Sequence, residues 1–173
     1  MKSQQTVKNA INGDKDAFCA LYDEYKQKLY RYALYKLKNP QDAEDALSDA
    51  VVSSYRQIGT LKNPGAFDAW IFRILNCACT KYIDQQAKSR QTQTIDQWAV
   101  ENKMYTDFNP QTQELMEALD SLDSQEQSIV LLSVIAGLNS KEIAGLTGLT
   151  PGGVRSKLSR SLSKMKNYWS DAE

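Results

Sequence analysis

Apolar residues recur at intervals of three and four along most of the chain, and no useful stretch alternates with the period of two expected of a strand. In the first half, this spacing predicts helices over residues 6–12, 14–38, 40–58 and 65–85. Gly13, Asn39-Pro40 and Gly59 are typical stop signals and separate these helices. The pattern predicts an all-α protein.

The second half shows the same helical spacing. One helix is predicted from residue 113, a second over Ser124–Gly137, and a short third that Ser140 opens as its cap. A turn at Gly148-Leu149-Thr150 leads into a last helix, with Thr150 as cap and Pro151 at the first helical position. The residues predicted to face inward on the last helix are Val154, Leu158, Leu162 and Met165. A helix, a short turn containing glycine and a second helix together form the plan of a helix-turn-helix.

The composition changes over residues 86–112, which are rich in Gln, Thr, Asn and Asp and lack sustained periodicity. We therefore predict two small helical domains, 1–88 and 113–173, joined by a polar linker over 89–112. The linker contains several large apolar residues, which indicate docking on this chain or on a partner: Ile95, Trp98, Val100, Met104, Tyr105 and Phe108.

The residue types present argue against an enzyme, a cofactor and a metal. The chain has no histidine, the commonest general base and metal ligand, and no glycine-rich phosphate loop. Of its three cysteines, Cys77 and Cys79 lie two apart, so they point in different directions on a helix and are interpreted as inert, buried or half-buried thiols. The low, odd count indicates reduced thiols in a cytosol. The polar N-terminus and the lack of a long apolar run predict a cytoplasmic protein without membrane insertion.

Charge is uneven although the net charge is zero. Residues 1–90 carry 14 basic and 10 acidic side chains, whereas residues 91–120 carry 1 and 6, which makes the linker region acidic. Residues 150–167 hold five basic side chains and no acid. Such a segment is typical of a nucleic-acid-binding helix, although a solvated basic face of an ordinary amphipathic helix is the alternative.

The second helix of a helix-turn-helix presents its first turns to base edges in the major groove. Here the polar residues of those turns are candidates for contacting DNA, together with the cap: Thr150, Arg155, Ser156, Lys157, Ser159 and Arg160. Gly152 and Gly153 each cost about 1 kcal/mol relative to alanine in a helix. A close approach of the backbone to DNA would explain them, and a loosely formed helix start is the alternative.

Two further features lie in the first domain. The helix over 40–58 carries Asp42, Glu44, Asp45 and Asp49 before its first base, which favours either simple stabilisation by the helix dipole or an electropositive protein partner. The following helix interleaves aromatic residues with bases, which is typical either of a core or of a platform for unpaired DNA.

Several segments, in order and with matching spacing, together resemble the extracytoplasmic-function sigma factors of bacterial RNA polymerase. They are Gly13–Phe18, Leu29–Ala33, Pro40–Ala46, Phe67–Ile74, Gly137–Ala144 and Val154–Arg160. The sequence departs from the family pattern at Ser48-Asp49, Asn76-Cys77, Lys81 and Ser159. The resemblance covers about residues 13–85 and 113–168.

The resemblance implies a protein that binds core RNA polymerase, directs it to specific promoters and helps open the DNA, without catalysis of its own. It assigns Asp42, Glu44, Asp45 and Asp49 to the clamp coiled coil of the polymerase. It assigns the downstream promoter element to Lys62, Asn63, Phe67, Trp70, Arg73, Asn76 and Lys81. The helix-turn-helix would read the upstream element and meet the polymerase flap, and the linker would thread towards the active-site channel.

The resemblance also implies an anti-sigma factor as partner. A stand-alone helix-turn-helix regulator remains the main alternative, since it needs no polymerase, but it usually forms dimers and would leave the acidic helix unexplained.

Overall fold

The structure is a computed structural model that describes residues 3–90 and 109–171. In these ranges the chain is helical apart from turns and short connections, without a strand, which confirms the all-α prediction. The first domain contains α1 (Gln4–Ile11), α2 (Lys15–Leu37), α3 (Pro40–Gln57) and α4 (Phe67–Arg90). The second contains α5 (Pro110–Asp120), α6 (Ser124–Val134), α7 (Ser140–Thr147) and α8 (Pro151–Asp171).

Capping side chains set the starts of the first helices. Ser3, Asp14 and Asn39 each accept a hydrogen bond from a backbone N–H of the first turn of α1, α2 and α3. The cap at Ser3 lets α1 begin earlier than the predicted Thr6. Between α2 and α3, Lys38 adopts a left-handed φ of 57°, so the chain reverses before Asn39-Pro40 opens α3. The predicted break is therefore confirmed.

A connector of two short 3₁₀ turns, Ile58–Thr60 and Pro64–Ala66, joins α3 to α4. Asn63 accepts a hydrogen bond from the N–H of Gly65 at 2.9 Å and caps the second turn. Tyr25 of α2 donates a hydrogen bond to Asp68, and its ring lies edge-on to Phe67 at 5.3 Å between centroids. These contacts fix the position from which α4 leaves the connector.

The helices beside the predicted linker extend into it from both sides. α4 continues to Arg90, and α5 begins at Pro110, so each helix overlaps the ends of the predicted linker over 89–112 by two or three residues. Nothing in residues 86–90 breaks a helix, whereas Asn109 and Pro110 form a cap followed by a proline at the first helical position. The apolar linker residues from Ile95 to Phe108, with their predicted docking, lie outside the described residues.

The second domain is built on reciprocal caps. Asp123 and Glu126 form a capping box on α6, and Asn139 and Glu142 form one on α7. Ser140, predicted to be the cap of α7, is instead its first residue. α6 ends at Val134, short of the predicted Gly137, which has a φ of 70°.

One of the residues predicted to face inward on α8 is exposed in the structure. Leu162 is 43% exposed, whereas Ser161 is fully buried. The Ser161 hydroxyl donates to the carbonyl of Lys157, one turn earlier in α8, at 2.7 Å. This hydrogen bond satisfies the hydroxyl, so the small side chain can be buried. The predicted inward positions of Val154 and Met165 are confirmed.

The two domains contact each other through α2 with α6 and through α4 with α7. The Lys36 ammonium on α2 donates a hydrogen bond to Ser128 on α6. Lys38, the left-handed residue after α2, forms an ion pair with Asp120 at the end of α5. The junction between the domains is therefore marked by polar contacts.

Candidate nucleic-acid and polymerase interfaces

The helix-turn-helix forms as the sequence predicts. α7 ends at Thr147 and is followed by Gly148, whose left-handed φ of 73° is easiest for glycine, and α8 begins at Pro151. Thr150 accepts a hydrogen bond through Oγ1 from the N–H of Gly153 at 3.0 Å, which confirms it as the cap. Arg155 donates to the Ser140 hydroxyl at 3.2 Å and so joins the starts of the two helices.

The exposed start of α8 presents two arginines and two serines. Arg155, Ser156, Ser159 and Arg160 line one open depression, which we call the α8 reading face. Arg160 also donates to the carbonyl of Ser156 at 3.3 Å, which holds its guanidinium along this face. Arginine and serine are donors that match phosphate oxygens and the edges of bases.

Two of the residues predicted to contact the upstream element form hydrogen bonds within the protein instead. The Lys157 ammonium donates to Gln125 on α6, and the Thr150 hydroxyl oxygen is occupied by the cap. Lys164 pairs with Glu126 at 2.7 Å on the same side as Lys157. The reading face therefore rests mainly on Arg155, Ser156, Ser159 and Arg160.

The two glycines at the start of α8 have different surroundings. A Cβ at Gly153 would lie 3.1 Å from Thr150 Oγ1, so the cap itself accounts for this glycine. A Cβ at Gly152 would meet only the end of the Arg155 side chain, at 3.8 Å. Packing within the described residues therefore does not require Gly152, and the predicted close approach to DNA still applies to it alone.

The outer side of α4 carries cations and an aromatic ring. Trp70, Arg73 and Lys81 lie on this side, which we call the α4 outer face, and Asn76 lies at its edge, beyond Arg73; Trp70 and Asn76 are half-buried and both cations are exposed. Among the described residues, Arg73 and Lys81 make no hydrogen bond or ion pair, and the same holds for Lys62 on the connector. These positive charges are free to meet an anion.

Phe67 and Asn63 have structural roles on this surface. Phe67 is 2% exposed, and its ring lies against Trp70 at 5.8 Å between centroids. Asn63 is exposed, but its side-chain oxygen caps the connector. Phe67 is therefore a buried residue that packs against Trp70 of the α4 outer face. Lys62 and Asn63 lie on the exposed connector that leads into α4.

Two cysteines on α4 differ in exposure. Cys79 is buried, and burial raises the pKa of its thiol to about 12. Cys77 is exposed, so the prediction of a buried or half-buried thiol is wrong for this residue. The two-residue spacing places them on different sides of the helix, as expected.

The acidic side chains of α3 divide between two sides of the helix. Asp42, Asp45 and Asp49 follow intervals of three and four and form the α3 acidic face. Gln86 of α4 donates to Asp42, and Tyr82 donates to Asp49 at 3.1 Å, so α4 borders this face. Glu44 is exposed on the flank nearer α2, where its charge contributes to raising the pKa of Tyr30, mainly an effect of burial.

Sequence reasoning missed apolar residues beside the acidic face. Val52 is 50% exposed and lies two turns after Asp45 on the same side of α3, and Tyr55 is 44% exposed one turn further on. The sequence does contain a signal, because the interval of seven residues between Asp45 and Val52 is about two helical turns and places both side chains on the same side of α3.

The fold and surfaces define a protein of two helical domains that combines an acidic helix with a helix-turn-helix. None of the helices within residues 3–90 and 109–171 is long and apolar enough to cross a membrane. The Sigma-70 region 2 model matches residues 21–89, and the Sigma-70 region 4 model matches residues 112–165, which together are more than half of the chain.

Individual proteins agree with this match. The chain is 29% identical to the RNA polymerase sigma factor SigV of Bacillus subtilis, covering 96% of this chain and 95% of SigV. It is 26% identical to the ECF RNA polymerase sigma factor BldN of Streptomyces coelicolor, covering 98% of this chain and 67% of BldN. The sigma factor RpoE of Bartonella quintana, solved with the anti-sigma factor NepR, shares the fold with a TM-score of 0.70 and 15% identity, over 87% of this chain and 97% of RpoE.

The chain belongs to the sigma-70 family and, within it, to the extracytoplasmic-function sigma factors. It is a transcription initiation factor that directs RNA polymerase to promoters, and it is not an enzyme. The family predicted from the sequence is confirmed.

Proposed function

We propose that three separate surfaces divide the work of initiation. The α3 acidic face binds the clamp coiled coil of the polymerase, the α4 outer face holds the opened downstream element, and the α8 reading face binds the upstream element. The observation that carries this proposal is the separation of two charged surfaces, since three acids share one side of α3, while Arg73, Lys81 and Lys62 are exposed on α4 and its connector. The negatively charged phosphates of nucleic acid attract the cationic surface of α4 and repel the acidic surface of α3.

The polymerase surface includes more than acids. Val52 lies beside Asp45 and Asp49, so an electropositive coiled coil would meet charge and apolar area together. Exposed apolar groups bordered by charge are typical of protein interfaces. Glu44 lies on another flank, where it contributes less than the three aspartates.

The downstream surface combines features suited to unpaired DNA. Trp70 offers a partly exposed ring, while Arg73, Lys81 and Lys62 supply charge for phosphates. In the second domain, the exposed arginines of α8 suit duplex DNA in the major groove, and this domain also meets the polymerase flap. We place domain 1–88 at the polymerase and the downstream element, and domain 113–173 at the upstream element.

One pair of variants tests this division. Asp45→Arg reverses a charge on the α3 acidic face and should abolish co-purification with core polymerase, while Glu114→Arg, the same reversal at an exposed site on α5, should leave it intact. Helical content by circular dichroism should be unchanged in both. Polymerase association that survives Asp45→Arg unchanged would remove the α3 acidic face from the interface.

We also propose regulation by an anti-sigma factor in the cytoplasm. RpoE of Bartonella quintana, which shares this fold, was solved with such a partner. An inhibitor that covers either domain would block access to polymerase or promoter. The test is to add the cytosolic part of a candidate inhibitor encoded beside this gene; loss of core polymerase association would support the proposal, and undiminished association would exclude that candidate.

A further inference from the structure

A hydrogen bond links the core to the α4 outer face. Tyr32 on α2 is fully buried, and its hydroxyl donates to Oδ1 of Asn76 at 2.8 Å. Its ring lies edge-on to Phe72 at 5.7 Å between centroids. Within the described residues, this is the single hydrogen bond of the Tyr32 hydroxyl.

The chemistry of this pair decides how the Asn76 amide is oriented. A buried hydroxyl hydrogen needs an acceptor, and the Asn76 side chain offers one only through its carbonyl oxygen. A flipped amide would turn its NH₂ group towards the phenol oxygen and leave the phenol hydrogen unsatisfied, at a cost of about 1–3 kcal/mol. Burial raises the pKa of Tyr32, which keeps the phenol protonated.

With Oδ1 held by Tyr32, the two N–H donors of Asn76 remain available on the outside. Asn76 is half-buried and lies at the edge of the α4 outer face, one helical turn after the exposed Arg73. Within the described residues, its NH₂ group donates to no other side chain. A fixed donor beside the exposed cation of Arg73 is suited to an acceptor atom on an anionic ligand.

We propose that Tyr32 is a positioning residue that fixes the Asn76 amide so that its N–H donors read an acceptor atom of one base in the downstream element. This inference rests on the proposed role of the α4 outer face. Phosphate contacts position a protein, whereas a contact to a base edge creates sequence preference. Asn76 would therefore supply specificity, while Arg73 and Lys81 supply affinity.

The test is run-off transcription with core polymerase on templates that carry each of the four bases at each position of the downstream element. Asn76→Ala should remove the preference at one position. Tyr32→Phe keeps the ring and should lower the best-to-worst ratio at that same position roughly fivefold, the equivalent of about 1 kcal/mol for one hydrogen bond. Tyr35→Phe is the matched control, because Tyr35 is buried on the same helix and its hydroxyl has no partner in the described residues.

A second variant separates positioning from general stability. Asn76→Asp still accepts from Tyr32 but presents an acceptor outward, so the preference should move to a base that offers a donor. A mere loss of stability would weaken all templates equally and could not change which base is preferred. If Tyr32 positions this side chain, the shift in base preference caused by Asn76→Asp should be smaller in the double variant Asn76→Asp with Tyr32→Phe.

Each other outcome has a defined meaning. A base preference that survives Tyr32→Phe undiminished overturns the positioning role. Unchanged preferences in Asn76→Ala overturn the inference, while transcription from the same promoters would still support the proposed function. Absence of any promoter-dependent transcript with the unaltered protein would contradict both.

Discussion

The ammonium of Lys36 on α2 donates a hydrogen bond to the hydroxyl of Ser128 on α6, and so joins the two domains. Lys36 is only 9% exposed, and burial lowers the pKa of its ammonium. The nearby Lys38–Asp120 ion pair links the same two parts of the chain. Polar contacts of this kind are sensitive to the loss of one partner.

The ion pair gives a direct test of the contact between the domains. Asp120→Lys places two cations together and should separate the domains, since like charges repel at short distance. Small-angle X-ray scattering should then show an increased radius of gyration. The double variant Lys38→Glu with Asp120→Lys restores opposite charges and should return the radius to its original value; equal radii in all three proteins would show that the pair does not hold the domains together.

Val52 should contribute to polymerase binding although it carries no charge. Val52→Asp adds a charge to an exposed apolar site and should weaken association with core polymerase without changing the fold, since the side chain is not part of the core. Affinity can be measured by titration of labelled core enzyme. Glu44→Gln, on the other flank of α3, serves as comparison, and a larger effect there than at Val52 would contradict the assigned face.

Arg160 should contribute to binding of the upstream element. Arg160→Ala should cost about 1–3 kcal/mol in promoter affinity of the holoenzyme if the side chain contacts a base. Lys166→Ala, two turns further along α8, is the matched loss of charge outside the reading face. Titration of promoter fragments at constant salt compares the two, and unchanged affinity in Arg160→Ala would remove this residue from the DNA surface.

Replacement of Gly152 by alanine should change the stability of the free protein and its affinity for promoter DNA in opposite directions. Since a Cβ there meets only the end of the Arg155 side chain, Gly152→Ala should stabilise the free protein by up to about 1 kcal/mol. If the backbone approaches DNA closely, the same methyl group should weaken promoter binding. Thermal unfolding and promoter titration together test this; a stabilised variant with full promoter affinity would show that the DNA does not approach Gly152.

The capping box of α6 should make the second domain sensitive to acid. A backbone N–H lowers the pKa of Asp123, and Lys164 with a further N–H lowers the pKa of Glu126. The folded state therefore favours the ionised forms, so this stabilisation is present above the ordinary values of about 4 and is lost as pH falls through the lowered pKa values. The difference in Tm between the native protein and Asp123→Asn with Glu126→Gln should shrink from pH 6 to pH 3. A constant difference would contradict this linkage.

The sequence was most informative where local chemistry decides the structure. Asn39-Pro40 and Thr150-Pro151 carry both a cap and a proline, and both helices begin there. At Asn139-Ser140 either residue could cap, and the choice falls on Asn139 because Glu142 lies three positions later and completes the box. The spacing of Asn139 and Glu142 is therefore the sequence signal that identifies the cap.

Tertiary contacts account for the rest. Periodicity alone could not decide between Ser161 and Leu162 as the buried residue, since both continue the stripe from Val154 and Leu158 within one position. The bond between Tyr32 and Asn76 and the contact of Lys36 with Ser128 join residues 44 and 92 positions apart, for which local sequence carries no signal. Burial of Phe67 beneath Trp70 likewise depends on the packing of α2.

The most direct test of the central claim is run-off transcription with purified core polymerase, with and without this protein, on fragments of its own genome. We predict discrete transcripts that appear only when the protein is present and that disappear with Asp45→Arg. Binding of the protein to specific duplex fragments without polymerase, together with the absence of any dependent transcript, would contradict the account and favour a stand-alone regulator.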